Sequence, residues 1–179
     1  PRAILMISAH WYTRGTGITA MAQPRTIHDF GGFPQALFEV QYPAPGDPQL
    51  AQQIQQLLAP LPVALDQRWG LDHGCWALLK HMYPAADIPV LQLSIDAGQP
   101  PAFHYQLGQQ LAALRQQGVM LIGSGNLVHN LGMVEFGDDV PALPWAIEYE
   151  VWAKSQIQQG KHAPLIDYLT SHPAARLAS

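Results

Sequence analysis

Two stretches of this chain share one plan, in which an apolar run is followed by small residues and then a histidine. They are residues 4–10 (ILMISAH) and residues 119–129 (VMLIGSGNLVH). Short apolar runs bounded by Gly and Ser indicate buried parallel strands. Residues just past the carboxyl ends of such strands line the ligand crevice of an open α/β sheet. His10 and His129 are therefore candidates for a metal or acid–base site, with a packing role as the alternative.

Strand and helix patterns alternate along the whole chain. Strands are predicted at residues 3–8, 18–21, 62–65, 89–94 and 119–124, and helices at residues 48–58, 74–82, 100–117, 144–159 and 164–169. This order predicts an α/β fold, a single domain with a mainly parallel central sheet and helices on both faces. Residues 23–46 are rich in Gly, Pro and aromatic side chains, which predicts an ordered, irregular segment with a functional role.

Composition excludes several classes of protein. The formal net charge of −4 and the pI near 6.0 argue against a nucleic-acid partner. No apolar run reaches about 18 residues, so no membrane span is expected. The single cysteine, Cys75, rules out an internal disulfide and fits a cytoplasmic protein. The sequence does not specify the oligomeric state.

Other side chains allow two interpretations each. Asp72 and His73 precede a predicted helix, so Asp72 is a candidate N-cap and His73 a candidate acid–base residue. His28 is followed by Asp29, which could fix its tautomer, and a place in a surface loop is the alternative. Cys75 is either a nucleophile or a small buried apolar residue. The sequence has no H-E-x-x-H, G-x-S-x-G or C-x-x-C motif, which removes the commonest zinc protease, serine hydrolase and zinc-ribbon interpretations.

Six short motifs occur in order along the chain. They are SAHW (8–11), TIHDFGGFP (26–34), YPAPG (42–46), DHG (72–74), QLSI (92–95) and GSGNLVHN (123–130). Each motif alone is weak, but the combination closely resembles the 4,5-DOPA extradiol dioxygenases. These belong to the class III extradiol ring-cleavage dioxygenases. The resemblance covers nearly the whole chain and thins after Trp152.

The resemblance implies an oxidoreductase that opens the ring of a catechol such as DOPA with O₂ at a non-haem metal held by histidines. Fe(II) is the metal implied for activity, and Zn(II) is often bound in structures of this branch. His10 matches a metal ligand of the family. His129 matches a histidine that serves as metal ligand or acid–base catalyst. His73 matches a histidine that assists proton transfer.

Four aromatic residues near these motifs are candidates for packing on the substrate ring: Trp11, Phe30, Phe33 and Trp76. An ordinary place in the core is the alternative for each of them.

The sequence departs from the family at both ends. The family's first strand with a His-Gly-Ser-Pro-type loop, and its Pro-Glu-His-Tyr-type segment, each supply a metal ligand, and neither occurs here. We therefore expect residues 1–179 to be a single catalytic-type domain, truncated at both ends. With His10 and His129 as its only matched ligands, we expect weak metal binding and no turnover from this segment alone. Two alternative functions stay open: a zinc-dependent hydrolase or amidase on a similar scaffold, and a non-catalytic remnant of the dioxygenase fold.

Overall fold

A computed structural model describes residues 1–135, 137 and 139–178. Contacts within the chain divide it into two compact units, Pro1–Gly125 and the described residues from Asn126 onward. Two buried apolar clusters lie in the first unit and one lies in the second. That residues 1–179 form a single catalytic-type domain truncated at both ends stays a prediction.

A five-stranded sheet forms the centre of the first unit. Its strands are β1 (Ala3–Thr13), β2 (Thr16–Thr19), β3 (Val63–Asp66), β4 (Val90–Asp96) and β5 (Val119–Gly123), in the order β3-β2-β4-β1-β5. Neighbouring strands run parallel except β2 and β4, which pair antiparallel. The predicted mainly parallel sheet is confirmed, and β1 extends further than the predicted residues 3–8.

Helices cover both faces of this sheet. The first unit contains α1 (Gln35–Phe38), α2 (Pro48–Leu57), α3 (His73–Met82) and α4 (Pro101–Leu111), which continues as a 3₁₀ helix over Ala112–Gln117. Alternate side chains of a strand point to opposite faces. Leu5 packs with α2 and α4, whereas Ile4 and Met6 pack with α3. The predicted α/β fold with helices on both faces is confirmed.

Local sequence sets where these helices begin and end. The Asp47 side chain accepts a hydrogen bond from the backbone N–H of Leu50, and Pro48 occupies the first turn of α2. The predicted helix over residues 100–117 tightens into the 3₁₀ helix after Leu111, a common change at helix ends. Gly118 ends it with a φ of 75°, which favours glycine.

Residues 23–46 are largely irregular, as predicted, apart from α1. Tyr42 and Ala44 are buried in the cluster beneath α3, and Thr26 forms an isolated bridge with Leu71. This packing orders the segment and carries residues 28–30 towards the start of α3.

The second unit is helical. It contains a 3₁₀ helix (Leu131–Met133), α5 (Pro144–Gln158), α6 (His162–Ile166), α7 (Tyr168–Ser171) and α8 (Ala175–Ala178). Tyr149 of α5 packs on Ala175 and Ala178. The single helix predicted over residues 164–169 is instead two short helices that meet at Asp167. Within the described part of the chain, no helix combines the length and apolarity needed to cross a membrane.

Candidate functional site

His10 projects from an irregular part of β1. The parallel register of β1 with β4 passes from Ile7–Leu93 directly to Tyr12–Ile95, so residues 8–11 lie opposite Ser94 alone. Such a bulge bends the strand and redirects its side chains. The backbone N–H of His10 donates to Ser8 Oγ at 3.2 Å. His10 therefore lies within β1, and not just past its end as the apolar run suggested.

His73 is the first residue of α3. Asp72 caps this helix, because its carboxylate accepts a hydrogen bond from the backbone N–H of Cys75 at 3.1 Å. The predicted capping role of Asp72 is confirmed. The cap fixes the first turn of α3 and with it the position of His73.

Gly74 lets this turn approach β1 closely. A Cβ atom on Gly74 would lie 2.5 Å from Ser8 Oγ and 3.1 Å from His10 Cδ2. As a result, the imidazole rings of His10 and His73 lie 3.9 Å apart between centroids, tilted by 52°. Two of the histidines singled out in the sequence are thus neighbours.

Asp29 reaches both histidines from the irregular segment. Its Oδ1 accepts a hydrogen bond from the backbone N–H of His73 at 2.9 Å and lies 2.8 Å from His73 Nδ1. Its Oδ2 lies 3.7 Å from His10 Nδ1. The side chains of His10, His73 and Asp29 are 32%, 29% and 15% exposed, so the cluster opens to solvent from the histidine side.

The charge of Asp29 is stabilised in this position. Burial alone would raise the pKa of Asp29, but hydrogen bonds from the His73 backbone, the His73 side chain and the Asp29 backbone outweigh burial and lower it. Asp29 is therefore a carboxylate at neutral pH.

The cluster of His10, Asp29 and His73 has donors that suit a divalent metal. One ligand atom from each residue lies within 4.8 Å of the others. Two imidazoles and a carboxylate are the donor types that non-haem Fe(II) takes, and imidazole also binds Zn(II). The residues present therefore fit the implied metal by donor chemistry.

Asp29 is the member of this cluster that the sequence analysis assigned elsewhere. Asp29 directly follows His28 in the sequence, so one interpretation is that it fixes the tautomer of the His28 ring. Instead His28 Nε2 bonds to the Val40 carbonyl at 2.9 Å, and its ring packs near Phe30 and Trp76. Asp29 bonds to His73 instead, so of the two open interpretations of His28 the structure does not favour orientation by Asp29. The chain contains no local signal for the pairing with His73, 44 positions away.

The four candidate aromatic residues lie in different surroundings. Phe30 is half-buried and makes an edge contact with the His73 ring at 5.3 Å. Phe33 is exposed and contacts Phe30 at 5.5 Å. Trp76 is buried and donates from Nε1 to the Ile27 carbonyl. Trp11 is buried and stacks on Trp69, which fits the packing alternative.

Cys75 lies two residues after His73 in the sequence, but its side chain is buried in the core. Its side chain is fully buried, and burial, with the nearby Asp72 carboxylate, raises the pKa of the thiol well above its usual value. The structure favours the small apolar residue over the nucleophile.

His129 belongs to the second unit. Its backbone N–H donates to the Ala178 carbonyl at 2.8 Å, which ties the loop to α8. It lies on the wall of a cavity of about 430 Å³, together with Val128, Leu131 and Trp145. Its role as metal ligand or acid–base catalyst stays a prediction.

Residues 1–179 match the family described as the catalytic LigB subunit of aromatic ring-opening dioxygenase. The chain belongs to the LigB family. The resemblance inferred from the six motifs is thereby confirmed, and the paired histidines of the first unit are features of a LigB-family chain.

Curated LigB-type relatives support this assignment. The chain is 55% identical over 173 residues to the 4,5-DOPA dioxygenase extradiol of Escherichia coli K12, an alignment that covers 94% of this chain and 64% of that protein. It is 43% identical over 182 residues to the protein of the same name from Beta vulgaris, covering 99% and 67%. The chain therefore spans about two thirds of the length of these relatives.

A solved structure has the same fold. A crystal structure of an uncharacterized protein from Escherichia coli K12 superposes with a TM-score of 0.84 at 45% identity, covering all of this chain and 69% of that one. The chain therefore shares its fold with this solved structure.

Proposed function

We propose that this chain acts as an extradiol dioxygenase, binding a metal and a catechol, such as DOPA, for ring opening with O₂. The observation that carries the proposal is the cluster of His10, Asp29 and His73 in a LigB-family chain, in which His10 offers an imidazole to the metal and His73 and Asp29 lie beside it. The names of the relatives support the same reaction class, a ring-opening oxidation of an aromatic substrate. The single, buried cysteine supports a cytoplasmic location.

His10 holds the metal in this proposal, and His129 is a second ligand or an acid–base group. When bound, Fe(II) supplies a Lewis acid and the electron relay that O₂ requires, whereas Zn(II) has no redox chemistry. The bulge in β1 and the close approach at Gly74 fix His10 relative to α3. His10 is thus carried by a strand of the central sheet and not by a surface loop.

His73 moves the proton of the substrate. A catechol must lose protons to chelate a metal, and a neutral imidazole can accept one near pH 7. His73 is partly exposed next to His10, so one substrate can reach both side chains. Phe30 contacts the His73 ring and offers an aromatic edge for the substrate ring. Three other aromatic residues stay candidates for packing on the substrate ring: Phe33, Trp76 and Trp11.

Oxygen uptake tests this function. The protein is loaded anaerobically with Fe(II), mixed with DOPA and then exposed to O₂. We expect oxygen consumption and a coloured ring-opened product from an enzyme that also carries the family's two flanking histidine motifs, and neither from its His10→Ala variant. For residues 1–179 alone we expect weak metal binding and no turnover. His81→Ala is the matched control, because His81 lies exposed in the last turn of α3, away from the cluster.

The same preparations separate the two other functions. Hydrolysis of an amide or ester by the Zn(II) form, with no oxygen uptake by the Fe(II) form, would point to a hydrolase. Failure to bind either metal in a calorimetric titration would point to a non-catalytic remnant. Either result would contradict the proposed dioxygenase.

A further inference from the structure

The hydrogen bonds of Asp29 to His73 define where the proton of that imidazole sits. A single oxygen, Oδ1, accepts from the His73 backbone and lies 2.8 Å from His73 Nδ1. A carboxylate can only accept hydrogen bonds, so Nδ1 must carry the proton. In a neutral imidazole the other nitrogen, Nε2, then has the lone pair.

We propose that Asp29 is a positioning residue that holds His73 with its proton on Nδ1, so that Nε2 is the atom that accepts the substrate proton, and that Asp29 is not itself a metal ligand. The acid–base role of His73 rests on the proposed function, whereas the position of its proton does not. Two bonds from one residue fix both the ring and the backbone of His73 against the same oxygen.

Geometry separates this role from metal binding. Oδ1 is committed to two donors of His73, and His73 Nδ1, which faces it, has no lone pair to offer a metal. Oδ2 lies 3.7 Å from His10 Nδ1, beyond hydrogen-bonding distance. The carboxylate thus makes its hydrogen bonds to His73, and Oδ2 is not hydrogen-bonded to His10 Nδ1.

Two other histidines have the opposite proton position and provide internal references. His28 Nε2 lies 2.9 Å from the Val40 carbonyl, which can only accept, so His28 carries its proton on Nε2. His172 Nδ1 accepts from the backbone N–H of Ala174, which also places the proton on Nε2. His73 should therefore differ from both in the same spectrum.

Nitrogen-15 NMR of the imidazole rings in the metal-free protein tests the proton position. Spectra are recorded near pH 8.5, about two units above the usual histidine pKa. We expect a protonated Nδ1 for His73 and a protonated Nε2 for His28 and His172. A proton on Nε2 of His73, or on both of its nitrogens, would overturn the proposal.

Two substitutions of Asp29 distinguish positioning from packing. Asp29→Ala removes the acceptor, so the His73 proton should leave Nδ1 for Nε2 in at least part of the molecules. Asp29→Asn replaces the carboxylate with an amide. The backbone N–H of His73 still requires an acceptor, so the amide oxygen should occupy the place of Oδ1 and the His73 proton should stay on Nδ1. An unchanged His73 spectrum in a folded Asp29→Ala protein would contradict the proposal, and the native spectrum decides the question if that variant does not fold.

Metal titration tests whether Asp29 is a ligand. Zn(II) affinity is measured by calorimetry for the native protein, Asp29→Asn and His10→Ala. Removing a residue that supports a metal ligand from outside typically costs about 10–100-fold in affinity, so a positioning residue predicts that Asp29→Asn keeps saturable binding within about that loss. His10→Ala should abolish saturable binding. Loss of saturable binding in Asp29→Asn, as in His10→Ala, would identify Asp29 as a ligand and overturn the proposal.

The NMR test of Asp29 and the oxygen-uptake test of the proposed function can each give a negative result without the other. Absence of ring opening together with a protonated Nδ1 on His73 would refute the dioxygenase and leave the positioning role intact. Ring opening together with a protonated Nε2 would do the reverse. Where ring opening occurs, Asp29→Ala should lower kcat about 100-fold, the lower range of general acid–base catalysis, with a smaller effect on KM.

Discussion

The Ser8 hydroxyl donates a hydrogen bond of 2.7 Å to Asp72 Oδ1, and this contact joins β1 to the first turn of α3. The same carboxylate accepts from the Cys75 backbone, from Gln92 Nε2 at 2.8 Å and from Trp69 Nε1 at 3.2 Å. Asp72 is fully buried. One carboxylate therefore connects the strand that carries His10 to the helix that begins with His73.

Removal of this carboxylate should destabilise the protein strongly. Asp72→Ala leaves four buried or half-buried donors without their acceptor, so we expect a loss of about 3 kcal/mol or more in the free energy of unfolding. Urea denaturation measures it. Asp47→Ala is the matched control, since Asp47 caps α2 with one bond to Leu50 and should lose only about 1 kcal/mol. Equal losses in the two variants would show that Asp72 acts as a cap alone.

Gly74 should tolerate no side chain. Gly74→Ala places a Cβ atom 2.5 Å from Ser8 Oγ and 3.1 Å from His10 Cδ2, so the buried Ser8 side chain must move or β1 and α3 must separate. We expect destabilisation of about 1–3 kcal/mol by urea denaturation and weaker Zn(II) binding. Gly108→Ala is the control in α4. A Cβ there meets nothing within 4 Å, so it should stabilise by about 0.5–1 kcal/mol. A neutral Gly74→Ala would mean that the two elements are not in close contact.

Much of the first unit could be predicted because its signals are local. Apolar runs located β1 and β5, and Asp72 marked the start of α3. The bulge at residues 8–11 could not be predicted, since it depends on the register with β4. The pairing of Asp29 with His73 was also missed, because the irregular segment that carries Asp29 takes its course from contacts with distant residues. The sequence identified the histidines of the site but not the carboxylate between them.

Acid should remove the contribution of Asp29 to stability. The folded-state pKa of Asp29 is lowered, so its ionised form favours the folded state. That contribution is fully present above the unfolded-state pKa of about 3.9 and is lost as the pH falls through the lower folded-state value. Urea denaturation of the native protein and Asp29→Asn, between about pH 5 and pH 3, should show a stability difference that shrinks towards zero in acid. A difference that stays constant over this range would contradict the lowered pKa.

Cys75 should be unreactive until the protein unfolds. Its thiol is buried in the cluster beneath α3, and burial raises its pKa, so very little thiolate is present at neutral pH. It is the single cysteine of the chain, so a thiol reagent that releases a coloured product reports on this residue alone. We expect slow modification in buffer and complete, rapid modification in concentrated urea. Fast reaction of the folded protein would show that Cys75 is accessible. It would then support the interpretation of Cys75 as a nucleophile, which the structure argues against.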